Sequence, residues 1–151
     1  MVETEKLPTE VTSEGDKIWR NVAGEAHRED GPAVEFASGT KIWYRNGLPH
    51  RDDGPAIERA DGHKAWYQKG IRHRMNGPAI ECANGDRFWY KNGEIHRDDG
   101  PAVERANGDR VWCRNGQLQV VEMFKRFSLA YEAEKREREA EKRSRTQKIR
   151  G

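Results

Sequence analysis

Large apolar side chains are scarce in this chain: Leu, Ile, Val and Phe together number 23 of 151 residues. That share lies below the roughly 20% at which a chain is suspected of disorder, but a formal net charge of only +2 argues against disorder. The five Trp and four Tyr must supply much of the buried surface, since each aromatic side chain removes about 150–250 Å² from water. We therefore expect a thin, aromatic core.

Three further absences narrow the class of protein. The near-neutral charge provides no global field toward nucleic acid or a membrane. No apolar stretch approaches the ~18 residues of a membrane span, and residues 1–14 lack the apolar run of a secretory signal. Cys82 and Cys113 share no metal-ligand spacing and fit a reducing cytosol better than a disulfide scaffold. The sequence predicts a soluble, cytoplasmic protein without membrane contact or cofactor.

The sequence repeats with a period of 23 residues. Four blocks align without a gap from Gly24 to Asn115, and ten of the 23 positions are identical in all four. A degenerate half-repeat over residues 15–21 precedes them. One such unit cannot bury a core alone, so neighbouring units must stack. The predicted organisation is an N-terminal arm over 1–14, a repeat array over 15–116 and a helical segment over 117–151.

Each block carries two turn signals between β-branched and aromatic runs, at Asn107-Gly108 and Asn46-Gly47 and their counterparts. Asn-Gly suits two-residue type I′ hairpins, because both central residues then have φ > 0. Such turns at both sites pair Val103 with Trp112 and Trp43 with His50. They also place Val, Trp and His on one face of the repeat, and Ala, Tyr and Glu on the other. The predicted fold class is mainly β, an antiparallel β-hairpin meander or solenoid with a C-terminal α-helix.

The segment Trp-Tyr-x-Asn-Gly-x-x-His at residues 43–50 resembles the core of MORN-type repeats, which share this period. The His-Arg-x-Asp-Gly-Pro-Ala signature is similar to variant repeats in bacterial and bacteriophage proteins, and the likeness covers about residues 15–116. Ordinary MORN repeats have Gly-x-Gly after the histidine, where this chain has Arg-Asp-Asp-Gly-Pro at 51–55. The resemblance implies an elongated, curved β-meander that serves as a scaffold or binding surface, usually without catalysis. It carries over no catalytic residue.

After Gly116 the repeat ends and a helical pattern begins. Val120, Phe124, Phe127 and Tyr131 fall at helical spacing and predict a helix, from Val120 to about Ala133, that caps the last hairpin. Beyond it, residues 132–143 alternate acid and base, which predicts a solvated helix with i,i+4 ion pairs. The last ten residues contain no acid and five bases: Lys142, Arg143, Arg145, Lys148 and Arg150. This basic tail is either a solvated end or a contact for nucleic acid or an acidic protein surface.

A His-Arg pair recurs in every block, and we call this row the His-Arg ladder: His27-Arg28, His50-Arg51, His73-Arg74 and His96-Arg97. With Trp66 and Trp89 it suggests a ligand row for nucleotides or phosphates. The simpler interpretation is structural, with Arg bonded to Asp30, Asp53 or Asp99 in the following turn, since buried polar groups need partners. Histidines 23 residues apart lack the ligand spacing of a zinc site.

The third block departs from the others. Met75-Asn76 replaces the two acids found at this place elsewhere, and Cys82 and Phe88 occur in the same block. The alternatives are neutral variation and a less acidic, more apolar partner site. The candidate partner-binding residues of the array are Arg72, Arg74, Met75 and Phe88, in addition to the basic tail.

Two classes of function remain open. The first is a non-catalytic protein–protein interaction or scaffold protein, with a protein partner or self-association, and a phage-type inhibitor docking on a host complex as its specific form. The second is a small-ligand sponge that uses the Trp-His-Arg row. No nucleophile–base pair or pair of carboxylates stands out from the repeat background, so an enzyme is not expected.

Overall fold

The computed structural model describes residues 6–150, without the side chains of residues 120–127 and 145–150. Within that range the chain forms eighteen two-residue strands followed by one helix. Ten of the strands form one antiparallel meander, and the other eight form four separate hairpins. The predicted fold class, a β-hairpin meander with a C-terminal helix, is confirmed.

The large sheet is formed by the strands that flank the first turn of each block, and these strands lie in the sheet in the order in which they occur along the chain. Its strands are β1 (Glu10–Val11), β2 (Lys17–Ile18), β3 (Val34–Glu35), β4 (Lys41–Ile42), β7 (Ile57–Glu58), β8 (Lys64–Ala65), β11 (Ile80–Glu81), β12 (Arg87–Phe88), β15 (Val103–Glu104) and β16 (Arg110–Val111). The first strand, β1, lies within the segment predicted as an N-terminal arm.

The small hairpins take the strands around the second turn of each block. Their strands are β5 (Tyr44–Arg45) with β6 (Leu48–Pro49), β9 (Tyr67–Gln68) with β10 (Ile71–Arg72), β13 (Tyr90–Lys91) with β14 (Glu94–Ile95), and β17 (Cys113–Arg114) with β18 (Gln117–Leu118).

Paired residues of the large sheet form two rows that run from strand to strand. One row is apolar: Ile18, Val34, Ile42, Ile57, Ala65, Ile80, Phe88, Val103 and Val111. The other alternates base and acid at every strand: Lys17, Glu35, Lys41, Glu58, Lys64, Glu81, Arg87, Glu104 and Arg110. Opposite charges on paired strands contribute roughly 0.2–1 kcal/mol per pair. The alternation therefore favours this register along the whole sheet.

The turns of the large sheet differ from the prediction. Val103 pairs with Val111 instead of Trp112, because the loop at Asn107-Gly108 has three residues. The Arg105 and Gly108 amides donate to the Asp109 and Arg105 carbonyls, and only the glycine has a positive φ, of 95°. This is a type I turn followed by a glycine bulge. The two-residue turn and the pairing predicted here were wrong by one residue.

The turns of the small hairpins are type I′, as predicted. Asn46 and Gly47 both have positive φ, 48° and 73°, and the Trp43 carbonyl accepts the His50 amide at 3.0 Å. The same bond joins Trp66 to His73 and Trp89 to His96. Each of the last three hairpins also binds the preceding one, since its turn glycine donates to a carbonyl of that hairpin's second strand. The small hairpins thus form a second continuous stack.

The alanine of each Gly-Pro-Ala segment forms the most buried part of the molecule. Ala33, Ala56, Ala79 and Ala102 have no exposed surface, and each accepts a 2.8 Å bond from the amide of the tryptophan one block earlier. A larger side chain has no room where two blocks meet so closely. Tertiary stacking of the repeats is therefore built on backbone contacts around a small residue, and the predicted stacking is confirmed.

The C-terminal helix α1 (Val120–Arg150) is continuous over 31 residues. The Gln119 amide, in the place of the repeat histidine, still donates to the Trp112 carbonyl at 2.7 Å just before the helix begins. Leu129 and Tyr131 are 70% and 66% exposed. The predicted capping by Val120, Phe124 and Phe127 falls on side chains outside the described residues and stays a prediction. The expected i,i+4 pairing is present between Glu134 and Arg138, at 3.9 Å.

Candidate functional site

Each arginine of the His-Arg ladder is held by groups of its own block and by the tryptophan ring of the preceding repeat. The Arg51 guanidinium lies over the Trp43 ring at 4.0 Å, and its Nη1 donates to the Pro55 carbonyl and the Glu58 carboxylate. Arg28, Arg74 and Arg97 lie over Trp19, Trp66 and Trp89 at 3.9–4.2 Å. Tryptophan and glutamate thus meet at one arginine, so their predicted separation onto opposite faces was wrong. The one-residue change of register in the large sheet is the cause.

A glycine closes the other side of the guanidinium. A Cβ at Gly54 would lie 2.9 Å from Cζ of Arg51, and the corresponding distances at Gly31, Gly77 and Gly100 are 2.9–3.0 Å. These glycines have no positive φ that would itself require glycine, apart from Gly77. We infer that close approach to the arginine explains why this position is glycine in every block.

The acids after the ladder arginines bind them as predicted. Arg28 Nε donates to Asp30 at 2.8 Å, Arg51 Nε to Asp53 at 2.9 Å and Arg97 Nε to Asp99 at 3.0 Å. The hydrogen bond from the neighbouring arginine lowers the pKa of Asp30 and of Asp53 below the usual 3.8. In these three blocks the arginine Nε–H and Nη1 donors are engaged within the protein.

Each ladder histidine binds the type I′ turn at the end of its own block. Nδ1 of His50 accepts the amide hydrogen of Lys69, in that turn, at 2.9 Å. The other three ladder histidines accept the equivalent amides, those of Asn46, Asn92 and Asn115. Nε2 of His50 lies 3.1 Å from Asp52, and Nε2 of His96 lies 3.0 Å from Asp98. The His96 contact lowers the pKa of Asp98. Nε2 of His50 and of His96 thus lies close to an aspartate of the same loop, whereas Glu29 lies 3.9 Å from His27 Nε2.

The third block keeps the scaffold of this arrangement and lacks its acids. Arg74 retains the Trp66 ring, the Pro78 carbonyl and Glu81, and His73 retains the Asn92 amide. Met75 and Asn76 take the places of the two acids. Within the described residues, no acceptor lies within bonding distance of Arg74 Nε or His73 Nε2.

Two grooves flank this third loop. One, of about 760 Å³, separates it from the fourth loop; the other, of about 550 Å³, separates it from the second. His73, Arg74, Met75 and Asn76 line both grooves. Met75 is 86% exposed. The facing walls carry the acids of the neighbouring loops: Asp52, Asp53, Asp98 and Asp99.

The other residues of the predicted partner patch lie elsewhere in the repeat. Phe88 belongs to the apolar row of the large sheet, where it pairs with Val103, and it is not among the residues lining the two grooves. Arg72 lies in the second small hairpin, where its Nε donates to the Tyr67 hydroxyl at 3.0 Å and its guanidinium contacts the Tyr90 ring. The structure thus brings Arg74 and Met75 together and places Phe88 and Arg72 apart from the grooves.

The basic tail lies at the end of α1. Lys142 and Arg143 are exposed, while the side chains of Arg145, Lys148 and Arg150 fall outside the described residues. Cys113 occupies the place of the repeat tyrosine and is buried, which raises the pKa of its thiol. Its carbonyl still accepts the Arg97 amide at 3.1 Å, as the Tyr44 and Tyr67 carbonyls accept the Arg28 and Arg51 amides.

Among the residues that the structure describes, no three His, Cys, Asp or Glu side chains are grouped to hold a metal ion. No helix in the same part of the chain is long and apolar enough to cross a membrane. Comparisons with protein-family models and with curated protein sequences find no match to this chain.

Proposed function

We propose that this chain is a non-catalytic interaction protein whose stacked repeats form a scaffold and whose third ladder loop is the contact surface. The main support is a difference between the third ladder loop and the other three. In the first, second and fourth blocks the ladder donors bind acids of their own loop, whereas the third loop presents an exposed methionine between two grooves. Methionine and arginine are both enriched at protein–protein interfaces relative to the rest of the surface.

The resemblance to MORN-type repeats supports the same proposal, because such arrays serve as scaffolds and binding surfaces. The specific form, a phage-type inhibitor docking on a host complex, has its only support in the likeness to bacteriophage repeats. The protein partner, self-association and the cytoplasmic location likewise stay predictions.

A nucleotide or phosphate sponge has weaker support. The row proposed for it comprises His50, Arg51, Trp66, His73, Trp89, His96 and Arg97. Outside the third block its arginine donors already bind carboxylates, and the grooves are walled by aspartates that repel a phosphate dianion. A thermal-shift screen with nucleotides tests this function, since a specific ligand at 100 times its Kd stabilises the fold by about 2.7 kcal/mol.

The test of the interaction proposal is cross-linking of the full chain in a lysate of its native host, with the cross-linked sites identified by mass spectrometry. Met75→Glu should remove partners that cross-link near the third loop. Val22→Glu is the matched control, because Val22 is another highly exposed apolar residue and lies at the N-terminal end of the array. Partners that survive Met75→Glu and are lost on removing residues 132–151 would place the contact in the tail and contradict the proposal.

A further inference from the structure

We propose that the third ladder loop is a receptor for a pair of acidic side chains on a partner protein, which take the places left by Met75 and Asn76. This inference rests on the proposed function and names the chemistry of the partner. In the second and fourth blocks the same scaffold holds a pair of aspartates at these places.

The sibling loops show what this place is built to bind. In the second block, Asp53 accepts the Arg51 Nε–H at 2.9 Å and Asp52 lies 3.1 Å from His50 Nε2. In the fourth block, Asp99 accepts the Arg97 Nε–H at 3.0 Å, and Asp98 lies 3.0 Å from His96 Nε2. Two successive carboxylates therefore serve two donors that the scaffold keeps at fixed positions.

In the third loop the two donors are positioned in the same way. The Trp66 ring, the Pro78 carbonyl and Glu81 hold the Arg74 guanidinium, which leaves Nε–H directed at the place of the missing acid. The His73 Nδ1 accepts a backbone amide, which is always a donor. The proton of the neutral ring is therefore on Nε2.

Neighbouring loops do not supply the missing carboxylates. Asp53 and Asp99 are bound to their own arginines, and Asp52 and Asp98 to their own histidines. The Arg74 side chain is only 28% exposed and is already held by its neighbours. Its Nε–H can therefore bind a carboxylate with little further loss of side-chain freedom. An acidic segment of a partner protein supplies the two carboxylates, one at Arg74 Nε–H and one at His73 Nε2. An apolar residue next to these acids then packs on Met75.

The flanking aspartates favour a carboxylate over a phosphate. Four aspartates face the grooves on either side of the third loop. Their repulsion of a phosphate group, which carries about −1.5 to −2 charges, exceeds their repulsion of a single carboxylate. Each carboxylate also matches the group that the sibling donors already bind.

The experiment uses the full chain labelled with ¹⁵N and the capped peptide acetyl-Leu-Asp-Asp-Gly-amide as the probe. NMR signals of Arg74 Nε–H and His73 Nε2–H are followed as peptide is added, with Arg51 and Arg97 Nε–H as internal controls. We expect saturable shifts of the two third-loop signals, with a Kd on the order of millimolar, and no shift of the controls. The isosteric peptide acetyl-Leu-Asn-Asn-Gly-amide should have no effect.

Asn76→Asp supplies the missing acid from within and should weaken the peptide at least about tenfold. Unmoved Arg74 and His73 signals, equal shifts with the Asn-Asn peptide, or tighter binding of inorganic phosphate would each overturn the inference. If the lysate partners contact the third loop but the peptide does not bind, the proposed function stands and this inference fails. If the peptide binds but no lysate partner contacts the third loop, this inference stands and the proposed function fails.

Discussion

In the second and fourth blocks, the guanidinium of one residue, the ladder arginine, joins a tryptophan ring, a proline carbonyl and acids from two segments. Arg51 shows all of these contacts together, to Trp43, Pro55, Asp53 and Glu58. The Arg51 guanidinium is partly buried, at 22% exposed, so removing one of its partners leaves a donor that water does not fully satisfy.

Gly54→Ala tests the role of the glycine beside this arginine. The added Cβ would lie 2.9 Å from Arg51 Cζ, so the guanidinium must leave the Trp43 ring or the loop must move. We expect a loss of about 1–3 kcal/mol in the free energy of unfolding, measured with urea. The control is a double-mutant cycle with Arg51→Ala, in which the alanine should cost much less. An equal cost in both backgrounds would show that the glycine serves the backbone instead.

The candidate site was predictable only in part at this scale. The spacing of the repeat was enough to expect the bonds from Arg28, Arg51 and Arg97 to the following aspartates, because complementary charges two residues apart in a turn must lie close. It was enough, too, to single out the third block. The sequence did not reveal that Arg72 and Phe88 lie away from Arg74, since this depends on the register of two different sheets.

At the scale of the hairpin, one dipeptide specifies two different turns. Asn-Gly fits type I′, with φ > 0 at both residues, and equally a type I turn in which only glycine has φ > 0. In the large sheet the Asn107 side chain accepts the Asp109 amide at 3.0 Å, and Asp61 and Asn84 make the same bond. Ser38 in the first block was the available signal, because serine rarely adopts φ > 0. The three-residue loop shifts the pairing of the large sheet by one residue from the predicted register.

Lys69 offers a test of the type I′ turns. It has φ of 49° at a position held by asparagine in the other three blocks, and asparagine tolerates this conformation better than lysine. Lys69→Asn should raise the free energy of unfolding by about 0.5–1 kcal/mol, measured by urea unfolding. The matched control is Asn92→Lys in the next turn, which should lower it by a similar amount. Changes of the same sign would show that the turn conformation does not set the preference.

At the scale of the whole molecule, stability is distributed along two linked stacks of hairpins. The large sheet contributes alternating charges and an apolar row, and each of the last three small hairpins contributes a bond from its turn glycine to the hairpin before it. The exposed residues 128–144 of the helix lie outside this arrangement. Composition and period were sufficient to predict such an array, because the repeats share one set of contacts. The charge alternation was not predicted, since it depends on the strand register.

The repeated arginine–aspartate bonds give the array a common dependence on pH. The pKa of Asp30 and of Asp53 is lower in the folded protein than the usual 3.8, because Arg28 and Arg51 bind the charged form. The unfolded state therefore takes up more protons as pH falls. The stabilisation is complete above about pH 5 and is lost as pH falls through 3.8 toward the lower folded values.

We therefore expect the Tm of the full chain to be steady near pH 6 and to fall between about pH 5 and pH 3. The double variant Asp30→Asn, Asp53→Asn should have a lower Tm at pH 6 and a shallower decline, because two of the linked carboxylates are gone. Asn76→Asp should act in the opposite direction and steepen the decline by adding a fourth arginine–aspartate bond. Parallel curves for all three proteins would mean that the ladder acids do not stabilise the fold, and that the third loop lacks nothing the other blocks need.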